Sequence, residues 1–182
     1  MEIKDILHKS FNMHGFHQGC PVIDDMITQY NPDVFLLQEH WLTPANLYTF
    51  DKHFIGYFSF GCSAMTTAVE SGMLRGRPFG GVICLTKSSL RGATSTIHCS
   101  ERYVSVKVGD CIIINIYMYL PCVSSINREL LCDDLFAEID AWCQRYSDCN
   151  HSVSSYAHIV LTAISQSNGN GQTLTTHKIQ TP

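Results

Sequence analysis

The stretch VFLLQEHW, residues 34–41, places four apolar residues directly before Gln38 and Glu39. An apolar run of this length, following the turn signal NPD at residues 31–33, is typical of a buried β-strand. This strand therefore ends in a carboxylate. Glu39 is either an ordinary solvated strand end or a ligand placed for chemistry, and the rest of the sequence has to distinguish the two.

The composition is that of a globular protein. The chain has 182 residues, of which 45% are hydrophobic and 15% are charged, enough for one domain with a sizeable core. We expect residues 1–165 to form this domain and residues 166–182, which lack hydrophobic periodicity, to form a disordered tail. No apolar run is long enough to span a bilayer, and the N-terminus lacks the pattern of a secretory signal. The sequence thus predicts an intracellular protein, nuclear or cytoplasmic, with no membrane partner.

Nine cysteines occur in the chain, and none is part of a C-x-x-C pair. An odd number without that spacing predicts neither a disulfide framework nor a zinc ribbon. Cys143, Cys149 and His151 lie close together in sequence, but we interpret them as a helix end with incidental thiols.

Charge is unevenly distributed although the net charge is only −4. Residues 71–107 contain six basic residues, Arg75, Arg77 and Arg91 among them, against one acidic residue. Two interpretations stay open: a surface that contacts phosphate or nucleic acid, or simple charge segregation on a solvated surface.

Periodicity and turn signals predict more strands than helices. We expect a long loop or flap over 61–79, and we expect the helices to pack outside the sheets, as in an α/β sandwich. The predicted strands cover 5–12, 33–39, 53–60, 82–87, 102–108, 111–121 and 156–164, and the predicted helices cover 21–30 and 125–147.

Four segments in order resemble the endonuclease/exonuclease/phosphatase superfamily, in particular its apurinic endonuclease and non-LTR retrotransposon endonuclease branch. They are SFNMHG at 10–15, DVFLLQEHWL at 33–42, GRPFGGVICL at 76–85 and INIYMYLP at 114–121. The resemblance covers roughly residues 5–161. It implies a four-layered α/β sandwich, with two mixed, largely antiparallel sheets flanked by helices. It also implies hydrolysis of phosphate esters at one end of the sandwich with Mg²⁺ or Mn²⁺.

The same resemblance implies roles for individual residues. Glu39 matches the metal-binding glutamate, Asn12 an asparagine that helps to hold the metal and the scissile phosphate, and Tyr119 a tyrosine that steadies a phosphate oxygen. Gly80 and Gly81 match a strand-opening pair that allows close backbone packing. The basic flap and its surroundings, Arg75, Arg77 and Arg91, are the expected contacts to phosphate or nucleic acid.

Each of these residues also has a purely structural interpretation. Asn12 beside a turn is an ordinary turn residue. Tyr117 and Tyr119 lie on one face of a strand, and either is as readily a core aromatic as a phosphate contact. His14 stands where apurinic endonucleases often have an aspartate. It either binds the metal or has no role, and we favour no role.

The second half of the family pattern is missing from this sequence. The family has a Gly-Asp-x-Asn segment and a Ser-Asp-His segment, whereas residues 162–182 contain no acidic residue. Since acid/base groups contribute on the order of 10²- to 10⁴-fold to such rates, we expect a C-terminally truncated domain with weak or no activity alone. An incomplete second sheet would leave an exposed face, which predicts homo-association.

Three functions therefore remain. The first is a metal-dependent, endonuclease-type phosphodiester hydrolase domain, retrotransposon-derived, with DNA as its substrate class. The second is a non-enzymatic nucleic-acid-binding remnant. The third is a domain similar to inositol-phosphate or phospholipid phosphatases, because a fold by itself does not determine the substrate.

Overall fold

The structure is a computed structural model that describes residues 6–72 and 76–117 together with short segments of the C-terminal part. Those segments are 133–135, 137–138, 140–142, 144–146 and 159–161. Arg75, Tyr119 and the predicted tail at 166–182 lie outside the described residues, as do Cys143, Cys149 and His151.

The described part of the fold contains eight strands, three α-helices and further helical residues between 133 and 145. Two 3₁₀ turns, Pro44–Asn46 and Ser88–Ala93, join some of these elements. The helices are α1 (Phe16–Tyr30), α2 (Thr49–His53) and α3 (Thr66–Glu70). The strands are β1 (His8–Asn12), β2 (Val34–Gln38), β3 (Tyr57–Cys62), β4 (Val82–Lys87), β5 (Thr94–Cys99), β6 (Tyr103–Val108), β7 (Cys111–Ile116) and β8 (Ile159–Leu161).

The strands form two four-stranded sheets. One sheet has the order β1-β2-β4-β3 and the other the order β5-β6-β7-β8. The pairs β1–β2 and β7–β8 are parallel, and the other four pairs are antiparallel. The predicted mixed, largely antiparallel sheets are thereby confirmed.

Three buried clusters define four layers. Helices α1 and α2 cover the outer face of the first sheet, where Phe16 and Phe50 pack against Phe35 and Leu37. The space between the sheets is filled by apolar residues of both sheets, among them Val34, Leu36, Val82, Cys84, Val104, Val106 and Val108. On the outer face of the second sheet, Leu135 and Trp142 from the helical residues at 133–145 pack against Tyr103, Ile114 and Ile116. The α/β/β/α sandwich expected from the sequence is confirmed. Sandwich strands can pack on both sides because successive side chains point to opposite faces and both faces here carry apolar residues.

A polar bridge crosses the space between the sheets. Asn115 on β7 is fully buried and donates from Nδ2 to the carbonyl oxygens of Leu37 and Ile83, both at 3.0 Å. Its Oδ1 accepts a hydrogen bond from Gln38 Nε2 at 2.5 Å. The bridge fixes the end of β7 against β2 and β4.

Some sequence-based boundaries were wrong. The predicted strand at 53–60 is instead the end of α2 followed by β3, because Gly56 has a φ of +96° and separates the two elements. Helix α1 begins at Phe16, not at residue 21, and contains Pro21 in its interior. The predicted loop at 61–79 contains the end of β3 and helix α3, which follows the fully buried Met65.

Among the described residues, no helix combines the length and hydrophobicity that crossing a membrane requires.

Candidate active site

Chain segments from both sheets meet at one edge of the sandwich. Strands β1, β2 and β3 end there and β4 begins there, as the register Asn12–Gln38–Val82–Cys62 shows. The bridge from Gln38 to Asn115 brings the end of β7 to the same edge. We call this edge the site edge, and Glu39 lies on it.

Glu39 is held at the site edge by backbone and side-chain contacts. Its N–H donates to the Gly81 carbonyl at 2.9 Å, and its own carbonyl accepts from the Gly15 N–H at 2.7 Å. Its side chain is only 12% exposed. Oε1 accepts a hydrogen bond from the Tyr117 hydroxyl at 3.2 Å, and Oε2 lies 3.2 Å from His14 Nδ1. The carboxylate is therefore a positioned group and not a freely solvated strand end.

Three non-glycine residues of this edge have a positive φ. The values are 49° for His14, 55° for Glu39 and 55° for Trp41. This conformation costs an L-residue about 1–2 kcal/mol relative to the right-handed region. Such strain is often found at functional sites, where the surrounding structure compensates for it.

Asn12 ends β1 beside Gln38, as the sequence predicted. Its Oδ1 accepts a hydrogen bond from the His14 N–H at 3.1 Å, which is a local turn contact. The turn brings His14 toward Glu39. Asn12 therefore shapes the turn, and its role at a metal or phosphate stays a prediction.

His40 lies between Glu39 and Trp41 and is completely buried. Its Nδ1 accepts from the Leu42 N–H at 3.0 Å, and its Nε2 is 3.2 Å from the Cys62 carbonyl, which places the ring proton on Nε2. Burial lowers the pKa of His40 to about 4. The neutral ring is thus a structural support beneath Glu39.

Gly80 and Gly81 lie where the chain passes close to neighbouring side chains. A Cβ on Gly81 would lie 2.2 Å from His40 Nε2, and one on Gly80 would lie 2.7 Å from the Ala64 Cβ. Both glycines also have a positive φ, 61° for Gly80 and 95° for Gly81. The close backbone packing expected for this pair is what the structure shows.

Tyr117 has a role at the site that the sequence did not predict, a hydrogen bond to Glu39. Tyr119, the predicted phosphate contact, lies outside the described residues, whereas the Tyr117 hydroxyl binds Glu39 directly. Tyr117 is 3% exposed, so it is also a core aromatic. The signal that could have identified it is the alternation Ile113-Asn115-Tyr117, which places it on the same inward face as the inter-sheet bridge.

Of the three predicted arginines, the two that the structure describes, Arg77 and Arg91, lie before and after β4 and do not converge on one place. Arg77 is exposed and lies three residues before Gly80, whose carbonyl binds the Trp41 N–H on the site edge. Arg91 follows the far end of β4, where it stacks over the Phe58 ring at 5.1 Å. The structure therefore does not bring Arg91 together with Glu39.

The site edge supplies some of the donor atoms that a divalent metal ion needs. Within the described residues, no group of three or more His, Cys, Asp or Glu side chains could hold a metal ion. The half-enclosed carboxylate of Glu39 with the adjacent nitrogen of His14 supplies two donors. The amide oxygen of Asn12, in the same turn as His14, supplies a third donor. A small set of this kind fits ions that keep several water ligands.

Comparison with known proteins gives structural similarity without sequence similarity. No protein-family model and no curated protein matches the chain. AP endonuclease LMAP from Leishmania major is 14% identical with a TM-score of 0.47, over 63% of this chain and 40% of that one. D. rerio TDP2 complexed with single-strand DNA product is 16% identical with a TM-score of 0.46, over 74% of this chain and 54% of that one.

A third similar structure is the 3′ phosphatase NExo from Neisseria bound to product DNA hairpin. It is 14% identical with a TM-score of 0.45, over 62% of this chain and 41% of that one. The chain thus spans 40 to 54% of the length of these three structures.

Proposed function

We propose that this chain is a metal-dependent phosphodiester hydrolase domain of the endonuclease type, retrotransposon-derived, with DNA as its substrate class. The single observation that carries the proposal is the position of Glu39. Its carboxylate lies on the site edge, held between His14 and Tyr117 by contacts of 3.2 Å each. The four motifs that resemble endonucleases contribute residues to this same edge.

In the proposed site, Glu39 and Asn12 hold the divalent ion, Mg²⁺ or Mn²⁺. When bound, such an ion polarises a phosphate oxygen and stabilises the charge that develops on it during hydrolysis. Tyr117 orients the carboxylate from the second sheet, and Tyr119 contacts a phosphate oxygen. Arg75 and Arg77, which flank Gly76 in the segment before Gly80, contact the nucleic-acid backbone, as Arg91 does farther away.

The chain by itself has weak or no activity under this proposal. In the family that the motifs resemble, the aspartate and asparagine of a Gly-Asp-x-Asn segment position the attacking water, and this segment would be expected after the strand predicted at 156–164. Residues 162–182 contain neither aspartate nor glutamate. The loss of one acid/base contribution costs on the order of 10²- to 10⁴-fold in rate.

The test is nicking of supercoiled plasmid by the folded, monodisperse chain in Mg²⁺ and in Mn²⁺, with EDTA as the metal-free control. Glu39→Gln removes the charge of the carboxylate and keeps its shape. The matched control is Glu70→Gln, an exposed glutamate on α3. Slow nicking that needs the metal, is lost in Glu39→Gln and is kept in Glu70→Gln is the expected result.

Equal nicking by wild type and Glu39→Gln would refute the proposed site. A well-folded chain that does not nick at all would next be tested for DNA binding. DNA binding that weakens steeply as salt rises, equally with and without the metal, would then identify a non-enzymatic nucleic-acid-binding domain.

A further inference from the structure

The imidazole of His14 is placed beside the Glu39 carboxylate by its own backbone. His14 has a φ of 49°, and its N–H is bound by Asn12 Oδ1 at 3.1 Å. The side chain is 69% exposed, so burial does not force the ring against Glu39. The ring nevertheless lies with Nδ1 3.2 Å from Oε2. The turn therefore directs a solvent-accessible nitrogen donor at a half-enclosed carboxylate.

The separation of these two donor atoms matches that of two adjacent ligands on one metal ion. Nitrogen and oxygen ligands bind ions of the first transition row at about 2.1 Å, so octahedral neighbours lie roughly 3.0 Å apart and tetrahedral neighbours roughly 3.4 Å apart. The observed 3.2 Å between Nδ1 and Oε2 lies between these values. One ion could contact both atoms without a change in the backbone.

The electrostatics of the carboxylate also favour a cation. The Tyr117 hydroxyl that binds Oε1 is a neutral donor. His14 is the basic side chain found within ion-pair distance of Glu39 in residues 6–72 and 76–117, and it is charged only when protonated. No lysine or arginine of those residues therefore neutralises the carboxylate by direct contact.

Resting on the proposed function, we infer that His14 Nδ1 and Glu39 Oε2 bind one divalent metal ion as adjacent ligands. We further infer that the nitrogen makes the site prefer an ion of the later first transition row, such as Co²⁺ or Zn²⁺, to Mg²⁺. Imidazole nitrogen is a good ligand for those ions, whereas Mg²⁺ takes oxygen ligands and octahedral geometry. The amide oxygen of Asn12 can complete the set without changing this preference.

The test measures metal binding directly. The full chain is titrated with Co²⁺, whose visible absorption distinguishes nitrogen and oxygen ligands from thiolates, and Mg²⁺ is measured by competition. His14→Asn removes the imidazole, and His14→Asp makes the donor set all-oxygen. Both replacements tolerate a positive φ. His17→Asn, at an exposed histidine in α1, is the matched control, and circular dichroism checks that each variant is folded.

We expect the wild type to bind Co²⁺ more tightly than Mg²⁺, without thiolate absorption. His14→Asn should weaken Co²⁺ binding on the order of tenfold or more and change Mg²⁺ binding about twofold or less. His14→Asp should shift the preference toward Mg²⁺, and His17→Asn should match the wild type.

Unchanged Co²⁺ and Mg²⁺ affinities in His14→Asn, with binding lost in Glu39→Gln, would overturn this inference and leave the proposed function standing. His14 would then only hydrogen-bond the carboxylate. Thiolate absorption that persists in His14→Asn would also overturn it, because the ion would lie on cysteines. Binding retained in Glu39→Gln would overturn both the inference and the proposed metal site.

Discussion

Replacing Asn115 by leucine removes the polar bridge between the two sheets and keeps the branching of the side chain at Cγ. The wild-type side chain makes three hydrogen bonds in a fully buried position, two to backbone carbonyls at 3.0 Å and one from Gln38 at 2.5 Å. At about 1 kcal/mol of net stabilisation for each bond, their loss amounts to about 3 kcal/mol. The apolar contacts of leucine offset part of this loss, so we expect a net decrease of about 2 kcal/mol.

The magnitude is measured by urea unfolding of the wild type and the variant, with the free energy of unfolding taken from linear extrapolation. Thr86→Val is the matched control, because Thr86 lies on β4, the strand that carries the Ile83 carbonyl of the bridge, and its buried Oγ1 has no hydrogen-bond partner among the described residues. Removing an unpaired hydroxyl should leave the stability unchanged or raise it by about 1 kcal/mol.

We therefore expect Asn115→Leu to lower the free energy of unfolding and Thr86→Val not to lower it, although both replace a buried polar side chain by an apolar one. If Asn115→Leu unfolded at the wild-type midpoint, or if Thr86→Val lost as much stability as Asn115→Leu, the hydrogen bonds of the bridge would not hold the sheets together. Refolding to a wild-type circular dichroism spectrum would show that the comparison concerns one fold.

Two further predictions concern the support beneath Glu39. In the same urea assay, Gly81→Ala should lower the free energy of unfolding by at least about 2 kcal/mol more than Gly56→Ala. Both glycines have a positive φ, but only a Cβ at position 81 would meet a ring, that of His40. Equal losses in the two variants would argue against this close packing. Because burial lowers the pKa of His40 to about 4 from the usual 6.5, the unfolded chain binds more protons than the folded chain between these values. In EDTA, the free energy of unfolding should therefore be highest above about pH 6.5 and fall by up to about 3 kcal/mol toward pH 4. His40→Gln should flatten this pH dependence, and an unchanged slope in the variant would contradict the role of His40.

Local pattern was enough to predict the strands that carry the site. The apolar run of β2 ends in the structure at Gln38, one residue from the expected boundary, and the strands predicted at 102–108 and 111–121 correspond to β6 and β7, which pair as a hairpin. Both depend on interactions close in sequence, turn residues and alternation, which a single sequence displays.

Contacts between distant segments account for what the sequence did not predict. Helix α1 begins at Phe16 because the N–H groups of Gly15 and Phe16 bind the carbonyls of Glu39 and His40. These partners lie on another segment, so the apolar spacing that predicts a helix over 21–30 gives the wrong start. Likewise, the contact of Tyr117 with Glu39 joins residues 78 positions apart, and only the packing of the two sheets reveals it.

The positive φ values of His14, Glu39 and Trp41 bear on how this chain can change over generations. Glycine at any of the three positions would relieve roughly 1 kcal/mol of backbone strain, so stability alone selects against the residues found there. A lineage released from selection on chemistry would drift toward glycine or asparagine at these positions, and the fold would gain from it. If related sequences keep histidine, glutamate and tryptophan at these positions, that retention would indicate selection for the function of the site and not for the stability of the fold.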